Sequence, residues 1–135
     1  MMPTPPLVLV VDDHRDACEM YAVYLESCGF DARPVFDALQ AVTLAQTVPP
    51  AAIITDLAMP TCDGWEFVRL LQADARTAGI PVIMVSGHAD QATQERAEMA
   101  GCARFFAKPC EPEQLETALR DILHLPPADI LSDHR

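Results

Sequence analysis

The chain has 135 residues, enough for one compact domain with a proper core and too few for two. Half are apolar and 21% charged, and a formal charge of −11 with a pI near 4.5 argues against direct contact with nucleic acid or an anionic membrane surface. No run approaches the ~20 apolar residues that span a bilayer, and five cysteines without a CxxC pair offer neither zinc-ligand spacing nor a disulfide framework, so reduced cytosolic thiols are expected.

The opening MMPTPPLVLVVDD lacks a basic region, and its apolar run stops at two aspartates. It reads as a strand over Leu7 to Val11, not as a signal peptide. From Arg15 to Cys28 the residues Ala17, Met20, Tyr21, Tyr24, Leu25 and Cys28 recur at helical spacing, and Gly29 closes the helix. Asp31 to Val35 is a weaker strand. Asp37 to Val48 is a helix stopped by Pro49-Pro50. Ala51 to Thr55 is a buried strand, followed by the loop LAMPTCDG and a helix over Trp65 to Ala75. Pro81 to Ser86 is a fourth strand, and a polar helix runs from about Asp90 to Ala100. Its apolar stripe is the thinnest of the five, so it should be the least firmly docked. Ala103 to Ala107 makes a short fifth strand, and Glu111 to Leu123 the last helix, with Leu115, Leu119 and Ile122 on one face. Pro126-Pro127 follows, and residues 125–135 are expected to form a loose tail to a domain of residues 1–124. Strands alternating with helices imply an α/β fold, a doubly wound parallel sheet with helices on both faces.

In such sheets ligands bind beyond the carboxyl ends of the strands, at the topological switch point. The residues at those ends are Asp12-Asp13, Asp56, Ser86 and Lys108, so three carboxylates, a hydroxyl and a lysine converge on one rim. At an effective dielectric of about 20, each close carboxylate pair costs on the order of 4 kcal/mol. Such a cluster must protonate, spread out or bind a cation. Hard oxygen donors favour Mg²⁺, which keeps several waters and accepts phosphate oxygens. A dication would neutralise the pocket and let Asp56 act as a nucleophile. Lys108 can pair with a phosphoryl oxygen, and Ser86 can donate a hydrogen bond to another.

The segments VVDD (Val10 to Asp13), TDLAMPTCDG (Thr55 to Gly64), MVSG (Met84 to Gly87) and FFAKP (Phe105 to Pro109) stand in one order and spacing from the first strand to the last helix. In that combination the chain resembles a receiver domain of bacterial two-component response regulators. The resemblance implies a five-stranded, flavodoxin-like sheet in the order 2-1-3-4-5 with five flanking helices. It implies Asp56 as phosphoacceptor. It also implies Mg²⁺ (or Mn²⁺) held by Asp12, Asp13, Asp56 and the backbone carbonyl of Ala58. Ser86 would be the switch hydroxyl, Phe105 the aromatic that turns inward behind it, and Lys108 the phosphate partner, with a bond to Pro109 that is often cis in the family. The donor would be a sensor histidine kinase or a histidine phosphotransfer protein, and the output an unknown downstream protein or a phosphorylation-dependent homodimer. The chain would be a cytoplasmic switch and not an enzyme, apart from self-catalysed phosphotransfer and slow autodephosphorylation. It would be a stand-alone regulator, a relay intermediate or a receiver from a longer hybrid kinase.

Plainer readings stand beside these. An aspartate is a favoured helix N-cap, which accounts for one of Asp12-Asp13 but not for two at a buried strand end. Ser86 before Gly87 is also ordinary turn chemistry. Phe105 and Phe106 must face opposite sides of their strand, and one of them belongs to the core. His14 and His88 read first as solvated residues of the rim, with a metal role as the alternative, Cys62 and Cys110 as thiols without redox function, and Trp65 as packing. Ala58 and His88 border the path of water to the phosphoryl group. Two other functions fit the fold: a phosphorylation-independent binding module, and a phosphohydrolase, which would need a second acid where Ala58 stands.

Overall fold

The computed structural model describes residues 4–127. Its elements run β1 (Leu7–Val11), α1 (Arg15–Ser27), β2 (Asp31–Val35), α2 (Ala38–Thr47), β3 (Ala52–Asp56), α3 (Gly64–Gln72), β4 (Val82–Ser86), α4 (Gln91–Met99), β5 (Arg104–Ala107) and α5 (Pro112–Ile122). All neighbouring strands pair in parallel, in the order β2-β1-β3-β4-β5. The order reverses between β1 and β3, so the ends of these two strands flank the switch point.

The three central strands are apolar on both faces because helices cover both. Val8 and Val10 of β1 and Ile83 and Val85 of β4 pack with Cys18, Ala22 and Leu25 of α1 and Leu115 and Leu119 of α5. Leu9, Val11, Ile53 and Met84 point the other way, toward the alanines of α2, Phe67, Val68 and Leu71 of α3, and Ala97 of α4. Two apolar layers therefore clamp the sheet, and β3 and β4 are buried at every residue.

Element ends differ from the expectations by one to three residues, each with a local cause. α3 stops at Gln72, because the Asp74 carboxylate accepts from the Arg76 backbone N–H and the Thr77 hydroxyl donates to the Leu71 carbonyl (2.6 Å), tying off the helix. At its start the Asp63 side chain accepts from Glu66 N–H as a true N-cap. α5 carries a buried charged pair, Glu116 and Arg120. Arg120 donates to Glu116 (3.0 Å), to the Cys28 carbonyl (2.7 Å) and to the Pro126 carbonyl (3.2 Å), while Tyr24 donates to Glu116 (3.0 Å). Burial is tolerated because every charge is partnered. Leu125 packs against the α1–α5 core layer, and residues 128–135 of the expected tail lie outside the described residues. Among the described residues, no helix is long and apolar enough to cross a membrane.

α4 buries only Ala97. A second attachment is the Arg96 guanidinium, 4.3 Å from the ring centroid of Trp65 at the start of α3. A half-exposed stack of this kind contributes about 0.5–1 kcal/mol. Arg96→Ala should therefore speed amide exchange across α4 by about two- to fivefold, leave α5 unchanged, and shift the Trp65 emission. Equal protection of α4 in variant and wild type would show that the stack does not hold the helix.

Candidate functional site

Each site residue is delivered by a strand end. Asp12 follows β1 and Asp56 is the last residue of β3, one position deeper in the sheet than the sequence suggests. It is paired across to Val85 of β4 and is only 5% exposed. Ser86 ends β4 and is also buried. Lys108 follows β5, and its backbone N–H donates to the Ser86 carbonyl (2.8 Å), which fixes the root of the side chain.

The Lys108 ammonium stands 3.2 Å from Asp56 Oδ1. One donor atom each from Asp12, Asp13, His14 and Asp56 fall within 4.8 Å of one another. Neither aspartate of the first pair caps α1: the N-cap is His14, and it makes no side-chain cap bond. Asp12 Oδ1 instead accepts the His14 backbone N–H (2.9 Å) and lies 3.0 Å from its Nδ1. Asp13 Oδ1 is buried and has no hydrogen-bond partner, since His14 Nδ1 at 3.5 Å is within ion-pair range only. A buried carboxylate oxygen without a donor, among two further carboxylates, is the environment a small hard cation satisfies. The donor set therefore fits a metal ion.

His14 is the residue that the structure draws closer to the site than the first reading of the sequence, as a solvated rim residue, places it. Its ring is exposed, as expected of the rim, yet Nδ1 joins the carboxylate group. Its pKa is raised, first by the hydrogen bond to Asp12 and then by the charges of Asp12 and Asp13. The adjacency of a histidine to an aspartate pair at a strand end was the available signal.

The other positions divide more simply. Ser86 Oγ accepts the His88 backbone N–H (2.9 Å). Phe105 and Phe106 are each partly buried, on opposite faces, because β5 is an edge strand with one covered flank. Phe105 borders a groove of about 330 Å³ between α4 and β5, lined also by Gln94, Ala97 and Cys102. Ala58 is exposed in the loop after β3, between buried Leu57 and Met59. Cys62 and Cys110 are buried, and burial pushes both thiols up, away from the reactive thiolate. The Lys108–Pro109 peptide is cis.

The loop after Asp56 returns tightly. Gly64 N–H donates to the Leu57 carbonyl (2.7 Å), and a Cβ on Gly64 would lie 2.9 Å from the Asp56 carbonyl oxygen and the Leu57 Cα. Only a glycine lets α3 begin this close to the Asp56 backbone.

The switch point of this parallel sheet thus gathers three carboxylates and a lysine. The family model for the response regulator receiver domain matches residues 8–120. Response regulator Rre1 of Synechocystis is 32% identical over 123 residues, covering 90% of this chain and 53% of its own length. The DNA-binding response regulator MtrA of Mycobacterium tuberculosis is 30% identical, covering 93% of this chain and 55% of its own. The receiver domain of sensor histidine kinase PA1611 from Pseudomonas aeruginosa, solved with a magnesium ion coordinated in its active-site cleft, superposes with a TM-score of 0.81 at 27% identity, over 89% of this chain and 98% of that one. The chain spans about half the length of the curated relatives it matches. It belongs to the receiver domain family of two-component response regulators, modules of phosphorylation-based signalling.

Gly64→Ala should displace the Asp56 backbone and destabilise the domain by about 1–3 kcal/mol in urea titration. It should also slow phosphoryl uptake from acetyl phosphate. Wild-type values of both would show that the close approach does not govern the site.

Proposed function

We propose that Asp56 accepts a phosphoryl group from a phosphohistidine on a sensor kinase or histidine phosphotransfer protein, and that Asp12, Asp13, Asp56 and the Ala58 carbonyl would hold Mg²⁺ (or Mn²⁺) beside it. The observation that carries this reading is the placing of Asp56, buried at the end of β3, 3.2 Å from the Lys108 ammonium and within the Asp12–Asp13 cluster. An Asp56 oxygen attacks phosphorus as the P–N bond breaks, the imidazole leaves with the bonding pair, and an acyl phosphate remains. Lys108 then exchanges its carboxylate partner for a phosphoryl oxygen, within the reach it already has. A bound dication supplies charge neutralisation for the crowded carboxylates and for the phosphoryl oxygens.

Ser86 Oγ, which accepts from His88 N–H, turns to donate its proton to the phosphoryl group. Phe105 follows into the groove beside it, and the α4–β5–α5 face changes for a downstream partner or a second copy. The weak docking of α4 makes this the face that moves at least cost. A groove of about 650 Å³ lined by Ala17, Met20, Tyr21, Lys108 and Pro112 opens on the site and suits a helical donor. The domain works in a bacterial cytoplasm, as a switch whose own residues perform transfer and slow loss of the phosphoryl group. Ala58 and His88 border the approach of water and set that lifetime.

Incubated with acetyl phosphate and Mg²⁺, the wild type should gain the mass of one phosphoryl group, and Asp56→Asn none. Lys108→Gln should lower the rate by on the order of 10²-fold. Undiminished labelling of Asp56→Asn would remove that residue from the role, and a partner bound equally well by Asp56→Ala would point to a phosphorylation-independent module.

A further inference from the structure

We propose that the His14 imidazole is a nitrogen donor to the cation at this site, so that the domain takes a transition-metal dication such as Co²⁺ in preference to Mg²⁺. The inference rests on reading the Asp12–Asp13–Asp56 group as the cation site, and it assigns a specificity role to a fourth side chain.

Three observations carry it. The first is spacing. Bonds of about 2.1 Å put neighbouring donors of an octahedron about 3.0 Å apart, and His14 Nδ1 lies 3.0 Å from Asp12 Oδ1 and 3.5 Å from Asp13 Oδ1. The shorter contact is a hydrogen bond in this structure, and both lie close to that edge length, so the ring nitrogen needs little displacement to share an ion with both carboxylates. The second is that His14 is free of structural duty. It occupies the N-cap of α1 without a side-chain cap bond, and its ring is 68% exposed. The third is redundancy. Asp12 Oδ1 is already held by the His14 backbone N–H at 2.9 Å, so the ring can leave its hydrogen bond without releasing the carboxylate.

The chemistry then decides between ions. Mg²⁺ is hard, prefers oxygen and keeps its waters, and gains little from an imidazole. Later first-row dications gain affinity from nitrogen, in the order Mn²⁺ below Co²⁺. An oxygen-only group follows the same order with a narrow spread, and a nitrogen donor from His14 widens it. Asp13 Oδ1, buried and without a hydrogen-bond partner, is the donor either ion shares.

Calorimetric titration of the full chain with MgCl₂, MnCl₂ and CoCl₂ tests the assignment without any readout of phosphoryl transfer. His14→Ala should weaken Co²⁺ binding by about tenfold, Mn²⁺ by less, and leave Mg²⁺ within about twofold. His14→Asn, which keeps a hydrogen-bonding group next to Asp12, should behave like the alanine variant. Asp13→Asn should lose both Mg²⁺ and Co²⁺. A Co²⁺-to-Mg²⁺ affinity ratio equal in wild type and His14→Ala would overturn the proposal, as would its recovery in His14→Asn or Co²⁺ binding that survives Asp13→Asn. If Mg²⁺ binding depends on Asp13 while the ratio ignores His14, only this inference falls. If neither ion binds the wild type, the cation-site reading falls with it.

Discussion

Crowding of carboxylates at the end of a buried sheet is the constraint on which the rest of this molecule depends. Asp12 and Asp56 are almost wholly buried, and Asp13 keeps an oxygen with no donor. In isolation such a cluster would spring apart. It is held because the strands beneath it are locked in register and buried on both faces, so that the backbone cannot yield. Lys108 offsets part of the repulsion, from an anchor on the neighbouring strand. The core thus holds an electrostatic conflict of the kind that a bound cation relieves. Local conflict of this kind is the mark of a functional site.

The same logic runs outward to the signalling face. A rim that changes charge needs an element able to respond, and α4 meets that need by being poorly buried. Its single buried alanine and its guanidinium stack on Trp65 contrast with α5, which is fastened by Leu115, Leu119 and the Glu116–Arg120 network. Firm docking on one side of β5 and loose docking on the other bias any displacement toward α4. Ser86, buried at the end of β4, already accepts at its hydroxyl from the β4–α4 loop through His88.

Much of this could be read from the chain before its structure. Strands buried on both faces leave unbroken apolar runs, and the strands read over Leu7 to Val11 and Pro81 to Ser86 were legible for that reason, the second beginning one residue later in the structure. The residues that end those runs were legible too, so the composition of the site followed from the topology rule. What escaped was set by contacts distant in sequence. The nearness of Gly64 to the Asp56 carbonyl depends on how the loop folds back. The burial of Glu116 and Arg120 depends on Tyr24 and Cys28, about 90 positions away. Phe105 and Phe106 share their burial because β5 lies at an edge, which alternation alone does not disclose. For His14 the sequence leaves two readings, a solvated rim residue first and a metal ligand second. Exposure of a ring does not prevent its nitrogen from facing inward.

The most direct measurement is the thermal midpoint of the wild-type domain across a Mg²⁺ series at constant ionic strength, which separates site binding from screening of the acidic surface. If the carboxylate cluster is relieved by a bound cation, the midpoint should climb with the logarithm of Mg²⁺ above saturation, the folded state gaining about 2.7 kcal/mol at a hundred times the dissociation constant. The climb should vanish in Asp13→Asn. A midpoint indifferent to Mg²⁺, or one that rises equally in that variant, would contradict the claim that the buried acids form a cation site.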